Sequence, residues 1–209
     1  MKIKNFTAIL KEMDERRDRL AEIFKHSCSV FVFILLGGRA LTLHKRGIRA
    51  IVFGETDKSD FFFIPIFLIF VYTVLACAFD LPMPAPLVKP FWTSMAGEWV
   101  GFTLCMIALV GFFATLKSFG DSFRVGIDEK HPDKLVTSGM FALSRNPIYV
   151  SFLLFFSGMF LLYPNIPLIC ALVFFALAVH RQILREEAFL KVHYGKAYED
   201  YCRRVRRYL

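Results

Sequence analysis

The sequence predicts an all-α integral membrane protein with about five transmembrane helices. Three observations carry that expectation. The 209-residue chain is 56% hydrophobic, has a mean hydropathy of +0.50 and contains 25 Phe, too apolar for an ordinary soluble domain. Long uncharged runs alternate with short polar segments. The 26 Lys and Arg outnumber the 18 Asp and Glu, giving a charge of +8, yet they sit in flanks and loops as bilayer topology dictates. No zinc finger, RNA-binding motif or basic DNA-reading helix is present, so no nucleic-acid partner is expected.

The length suits one domain over 1–209. Residues 1–26 form its amphipathic N-terminal helix, with Ile3, Phe6, Ile9, Leu10, Met13, Leu20, Ile23 and Phe24 at helical spacing among mixed charges. This stretch is too charged for a cleavable signal peptide. Residues 27–120 hold the scaffold helices. The run from Ser27 to Gly38 is short and continues past Arg39, so the 27–43 segment is the least regular span. Phe61–Phe79 is an uncharged span whose Pro65 a membrane helix can tolerate. The segment LPMPAPLVKP carries four prolines and is a loop. Trp99–Leu116 is the next span, introduced by Glu98 and closed by Lys117.

From Asn146 to Val179 there is no charge, but Pro164-Asn165 and Pro167 interrupt the run. The pattern predicts an antiparallel hairpin of helices over about 148–163 and 167–184. Its second helix continues past the bilayer and carries Arg181, Arg185, Glu186 and Glu187 into the interface. The tail from His193 to Leu209 is basic, aromatic and helical. The 44–60 loop carries four Lys or Arg, the 80–98 loop one, the 117–147 loop five, the hairpin turn none and the stretch from Arg181 onward eight. That alternation places the 131–149 stretch and the C-terminus together on the cytosolic side. Five spans put the N-terminus outside and four put it inside; five is the favoured count.

The five cysteines have no CxxC pairing and suit small buried apolar positions. No second His or Cys stands at ligand spacing from His131, so no metal is expected. No dinucleotide-binding, phosphate-loop or nucleophile-elbow motif occurs.

The chemistry-bearing residues fall in two clusters. His131 to Tyr149 packs a His, two prolines, a Gly and an Arg-Asn-Pro step into nineteen residues. Arg185-Glu186-Glu187 follows the hairpin. The hairpin returns both ends to one membrane face, bringing Arg145, Asn146 and Tyr149 near Arg185, Glu186 and Glu187. Ionisable groups there are functional candidates; an Arg–Glu clamp closing the hairpin is an equally good structural alternative. Asn146-Pro147 is fully explained as a helix start. Leu135 and Val136 can border an apolar ring or simply line an interfacial loop. His131 can donate, ligate or be solvated.

Four ordered strings then resemble a known family. His131 to Phe141 fits H-x-x-[KN]-L-V-x-x-G-x-[YF], and Arg145 to Tyr149 fits R-[HN]-P-x-Y. Glu186-Glu187 supplies the acidic pair, and Tyr194 to Tyr201 fits [FY]-G-x-x-[YF]-x-x-Y. The chain resembles the isoprenylcysteine carboxyl methyltransferases and the related membrane phospholipid N-methyltransferases over roughly a third of its length. It departs at Asn146, where the family usually has His, and at Arg204-Val205-Arg206-Arg207, where a Pro is usual.

The resemblance implies a cytosolic cofactor pocket formed by the C-terminal half, making 121–209 the cofactor-binding catalytic part. It implies S-adenosyl-L-methionine as methyl donor, S-adenosyl-L-homocysteine as product, and a lipophilic acceptor entering from the bilayer among membrane lipids. Leu135 and Val136 would border the adenine. His131, Lys134, Gly139, Phe141, Asn146, Pro147 and Tyr149 would line the pocket, with Glu186 facing the polar part of the cofactor and Tyr198 and Tyr201 closing it. Arg145 and Glu187 match the positions nearest the reaction. The expected activity is carboxyl O-methylation of a prenylcysteine-like acceptor. The alternatives are methylation of a phospholipid amine, an NADPH-dependent sterol-type reductase, and a non-enzymatic subunit. The tail from Tyr194 to Val205 also fits the reductases, but they are longer and have more spans; the four ordered strings argue against the subunit.

Overall fold

The computed structural model describes residues 63–79, 81–119 and 135–209. Every regular element among these residues is helical. We number the α-helices α1 (Phe63–Phe79), α2 (Ala85–Val88), α3 (Met95–Phe119), α4 (Pro147–Leu162), α5 (Ile166–Tyr194) and α6 (Lys196–Arg204). A 3-10 turn over Gly139–Ala142 precedes α4. The amphipathic helix expected over 1–26 and the 27–43 segment lie outside the described residues.

Proline and asparagine place the breaks. The four-proline segment is a loop holding a single helical turn, α2, with Pro84 at its N-cap. Between α4 and α5, Asn165 caps the second helix: its Oδ1 accepts from Leu168 N at 3.1 Å. Phe91 N donates to Pro164 O at 2.7 Å, which pins the proline loop to the turn. Phe91, Trp92 and Phe160 gather their rings at this end, the composition of a membrane interface.

Two helices, over Met95–Ser118 and Ile166–Tyr194, are long and apolar enough to cross a membrane. α5 runs 29 residues without a break, about 44 Å, so it does carry Arg181, Arg185, Glu186 and Glu187 beyond its apolar part. α1 and α4 are apolar but shorter, 17 and 16 residues. Hydroxyls on these helices satisfy themselves on carbonyls one turn back. Thr73 donates to Ile69 O, Thr115 to Gly111 O and Ser151 to Pro147 O, at 2.7–2.9 Å. An apolar environment requires such internal bonding.

The core unites all four long helices through Phe70, Val74, Cys105, Ala108, Phe155, Phe156, Met159, Leu162, Leu168 and Ala171. Phe156 stacks between Phe70 and Phe175, with ring centroids 4.0 and 4.3 Å away. Outward, Leu68, Val110, Phe113, Phe174 and Leu177 are each at least 60% exposed. Such a continuous apolar exterior suits lipid contact. The most extensive packing joins α3 and α4, where Gly101 and Gly158 bring the backbones together: a Cβ on Gly158 would stand 2.7 Å from Gly101 O. Small residues at such a crossing are how membrane helices approach closely. This crossing fixes where the start of α4 sits.

Candidate functional site

The site lies where the start of α4, the far part of α5 and the C-terminal segment meet. Gly139 adopts φ +62°, a left-handed turn that L side chains rarely adopt. There the chain passes against Ser118 at the end of α3, whose Oγ accepts from Met140 N at 3.1 Å. This docks the 135–142 stretch. Phe141, Tyr198 and Tyr201 are buried together, with Leu135, Val136, Leu190 and Tyr194 packed around them. Five predicted residues thus form one apolar wall. Tyr201 donates its hydroxyl to Phe141 O at 2.6 Å. Burial pushes the Tyr201 phenol up to about 12, with Arg145 opposing, and raises that of Tyr198 further, Glu187 adding to the effect. Both remain protonated donors at neutral pH.

Pro147 opens α4 and Asn146 stands at its N-cap, as the sequence predicts. Asn146 does not cap with its side chain; its Nδ2 donates instead to Arg207 O at 3.1 Å, and Ser144 Oγ donates to the same carbonyl at 3.4 Å. Arg145 N donates to Arg206 O at 2.9 Å. The start of α4 therefore holds the C-terminal segment by its backbone.

Two polar chains converge above the hairpin. In the first, Glu186 Oε1 accepts from Tyr149 at 2.6 Å and from Gln182 Nε2 at 3.0 Å, while Arg185 Nη1 donates to Gln182 Oε1 at 3.3 Å. Arg185 is thus drawn along its own helix. In the second, Arg145 Nη2 lies 3.1 Å from Glu187 Oε1, and both side chains are nearly buried. Arg207 grips both oxygens of the same carboxylate, Nε at 3.1 Å from each and Nη2 at 2.8 Å from Oε2. The hydrogen bond to Glu187 holds the Arg207 guanidinium above its ordinary pKa. The Arg145–Glu187 pair is the clamp that the structural alternative required. That alternative does not account for Arg145 Nε, which is buried and has no hydrogen-bond partner in the structure.

The structure therefore brings together Leu135, Val136, Gly139, Phe141, Arg145, Asn146, Pro147, Tyr149, Glu186, Glu187, Tyr198 and Tyr201. His131 and Lys134 lie outside the described residues. Sequence reasoning missed Arg207, Gln182 and Ser118. Gln182 stands four residues before Glu186 on one helix face, a spacing that could have flagged it. Arg207 was hidden in a run of basic residues. Among the described residues no group of three or more His, Cys, Asp or Glu is placed to hold a metal.

A model of the phospholipid methyltransferase family matches residues 96–197, from the first turn of α3 to the start of α6. Two relatives from Oryza sativa, subspecies indica and japonica, are each described as a probable protein-S-isoprenylcysteine O-methyltransferase. Each is 31% identical over 128 residues, covering 57% of this chain and 63% of the relative. The chain therefore spans less than two thirds of the length of these relatives. No solved structure matches it significantly.

Among the described residues an all-helical arrangement, two helices long and apolar enough to cross a bilayer and a polar cluster at their end accompany this similarity to the class of membrane methyltransferases. Within that class, the chain is similar to proteins described as isoprenylcysteine O-methyltransferases.

Proposed function

We propose that this protein transfers a methyl group from S-adenosyl-L-methionine to the carboxylate of a lipophilic, prenylcysteine-like acceptor at the membrane–cytosol interface. In this reading it is a multi-pass protein of about five transmembrane helices, with the C-terminal half forming a cytosolic pocket. The observation that carries it is the buried, unpartnered Nε of Arg145 beside a half-buried apolar wall. The cofactor offers an apolar adenine, a cation and an amino-acid end, and the residues present fit each part. Leu135, Val136 and Phe141 supply a surface for the ring. Glu186, held by Tyr149 and Gln182, supplies a fixed carboxylate for the polar part. Gly139, Asn146 and Pro147 shape the intervening backbone, and Tyr198 and Tyr201 exclude water. His131 and Lys134 complete the pocket in this reading.

When bound, the cofactor supplies an electrophilic methyl on a sulfonium. The protein's task is then alignment in a dry site. A carboxylate acceptor is already ionised at neutral pH, so no general base is required. Arg145 holds it through a planar fork, and Glu187 fixes Arg145 from the other side. The lipophilic body of the acceptor stays in the bilayer beside the exposed apolar faces of the helices.

The test is incubation with methyl-labelled cofactor and a farnesyl-cysteine acceptor. The expected product releases its label as methanol in base. A base-stable label on a phospholipid amine would support the second reading, which the description of the matching family model favours. Titration calorimetry showing NADPH binding without S-adenosyl-L-homocysteine binding would sink both. Arg145→Ala is expected to abolish turnover while largely keeping cofactor affinity.

A further inference from the structure

Arg207 lies beyond the last residue of the family match, which ends at 197. In the fold it is the side chain that holds Glu187 most fully. Its Nε and Nη2 engage both carboxylate oxygens, whereas Arg145 takes only Oε1, through Nη2. The backbone aims it. The carbonyl of Arg206 accepts from Arg145 N, and that of Arg207 accepts from Asn146 Nδ2 and Ser144 Oγ. Next along, Tyr208 pairs its hydroxyl with His180 Nδ1 at 2.6 Å. One carboxylate thus faces two guanidiniums. Within this cluster one positive charge is uncompensated, and the buried donor without an acceptor, Nε, is on Arg145.

We propose that Arg207 is a positioning residue that keeps Arg145 available to the carboxylate of a bound molecule. It holds both oxygens of Glu187 and so keeps them off the Nε of Arg145. Without Arg207, Glu187 closes side-on over Nε and Nη2 of Arg145, the geometry that guanidinium and carboxylate prefer. Arg145 is then neutralised and its open donor filled. The proposal rests on the methyl-transfer reading, which offers two sources of carboxylate: the acceptor and the amino-acid end of the cofactor.

The test is titration calorimetry on the full-length protein in detergent. The probes are N-acetyl-S-farnesylcysteine, its methyl ester and S-adenosyl-L-homocysteine. Arg207→Gln is expected to weaken the free acid about tenfold or more, the loss of a charge-assisted contact, and to leave the ester and S-adenosyl-L-homocysteine little changed. Weakening of S-adenosyl-L-homocysteine instead assigns the carboxylate to the cofactor and supports the same arrangement. The double variant Arg207→Gln/Glu187→Gln is expected to bind the free acid more tightly than Arg207→Gln alone, since no carboxylate is left to close on Arg145, though short of wild type, because Glu187 no longer fixes Arg145. A merely structural role for Arg207 gives the opposite: the double variant is no better than the single, or acid and ester weaken together. Either of those results, or unchanged affinity for every probe in Arg207→Gln, overturns the proposal. Wild-type protein that binds neither the acid nor S-adenosyl-L-homocysteine overturns the methyl-transfer reading itself, and the proposal with it.

Discussion

Gly158→Ala tests the helix crossing that positions the start of α4. The added Cβ would stand 2.6 Å from Cys105 Sγ, 2.7 Å from Gly101 O and 3.0 Å from Cys105 N, where ordinary contact begins at 3.4 Å. Two of the three are backbone atoms of α3, so no rotamer change relieves them. The helices must separate by roughly 0.7 Å, an overpacking that costs about 3 kcal/mol. Alanine returns about 1 kcal/mol of helix propensity, leaving a net loss of about 2 kcal/mol. A Cβ on Gly101 meets Gly158 O at 2.7 Å across the same contact, so one separation relieves both substitutions. The double variant should therefore lose less than the sum of the singles. Gly111→Ala is the control, since its Cβ meets only the rotatable Ser151 Oγ, at 3.0 Å. The assay is thermal unfolding in detergent, followed by maleimide labelling of the buried Cys105. Gly158→Ala as stable as wild type, or a double variant losing the full sum, would refute this crossing.

Glu187→Gln should destabilise the fold by about 3 kcal/mol in the same assay, because it strands two guanidiniums on a nearly buried partner. Lys191→Gln, whose pair with Glu199 is exposed on both sides, should cost under about 1 kcal/mol. Gly139→Ala forces a side chain into a left-handed turn at about 1–2 kcal/mol and drives its Cβ into Ser118. Titration should show weaker S-adenosyl-L-homocysteine binding as the 135–142 stretch undocks. The Tyr201 phenol ionises near 12 when folded against an ordinary 10, so between those values the folded protein binds the extra proton. Its contribution to stability is complete below pH 10 and is lost as pH rises through about 12. Helix content followed against pH should fall less steeply over that window in Tyr201→Phe; an unchanged profile would refute the assignment.

The hairpin was legible because its signals are local. Pro164, Asn165 and Pro167 break the apolar run wherever it packs, and Asn146-Pro147 opens α4 with the same clarity. Convergence of Arg145, Tyr149, Glu186 and Glu187 followed from the hairpin alone. The Gly101–Gly158 crossing left no such trace, since two glycines far apart in sequence declare no partner. Asn146 was expected to cap its helix, but a backbone carbonyl from the C-terminal segment competes for the same amide. Arg207 escaped notice for a related reason. Its neighbours Arg203, Arg204 and Arg206 are exposed, and only the fold distinguishes the one that turns inward.

The unbroken course of α5 also makes it a depth gauge. From its cap at Asn165 to Glu186 it counts 21 residues, about 31 Å at the helical rise and close to the thickness of a hydrocarbon core, about 30 Å. The carboxylates of Glu186 and Glu187 are therefore held about one hydrocarbon-core thickness from the hairpin turn. One residue inserted between Asn165 and Gln182 would raise Glu186 and Glu187 by about 1.5 Å and swing them about 100° around the axis. The helix can change its lipid-facing side chains freely, but not its length.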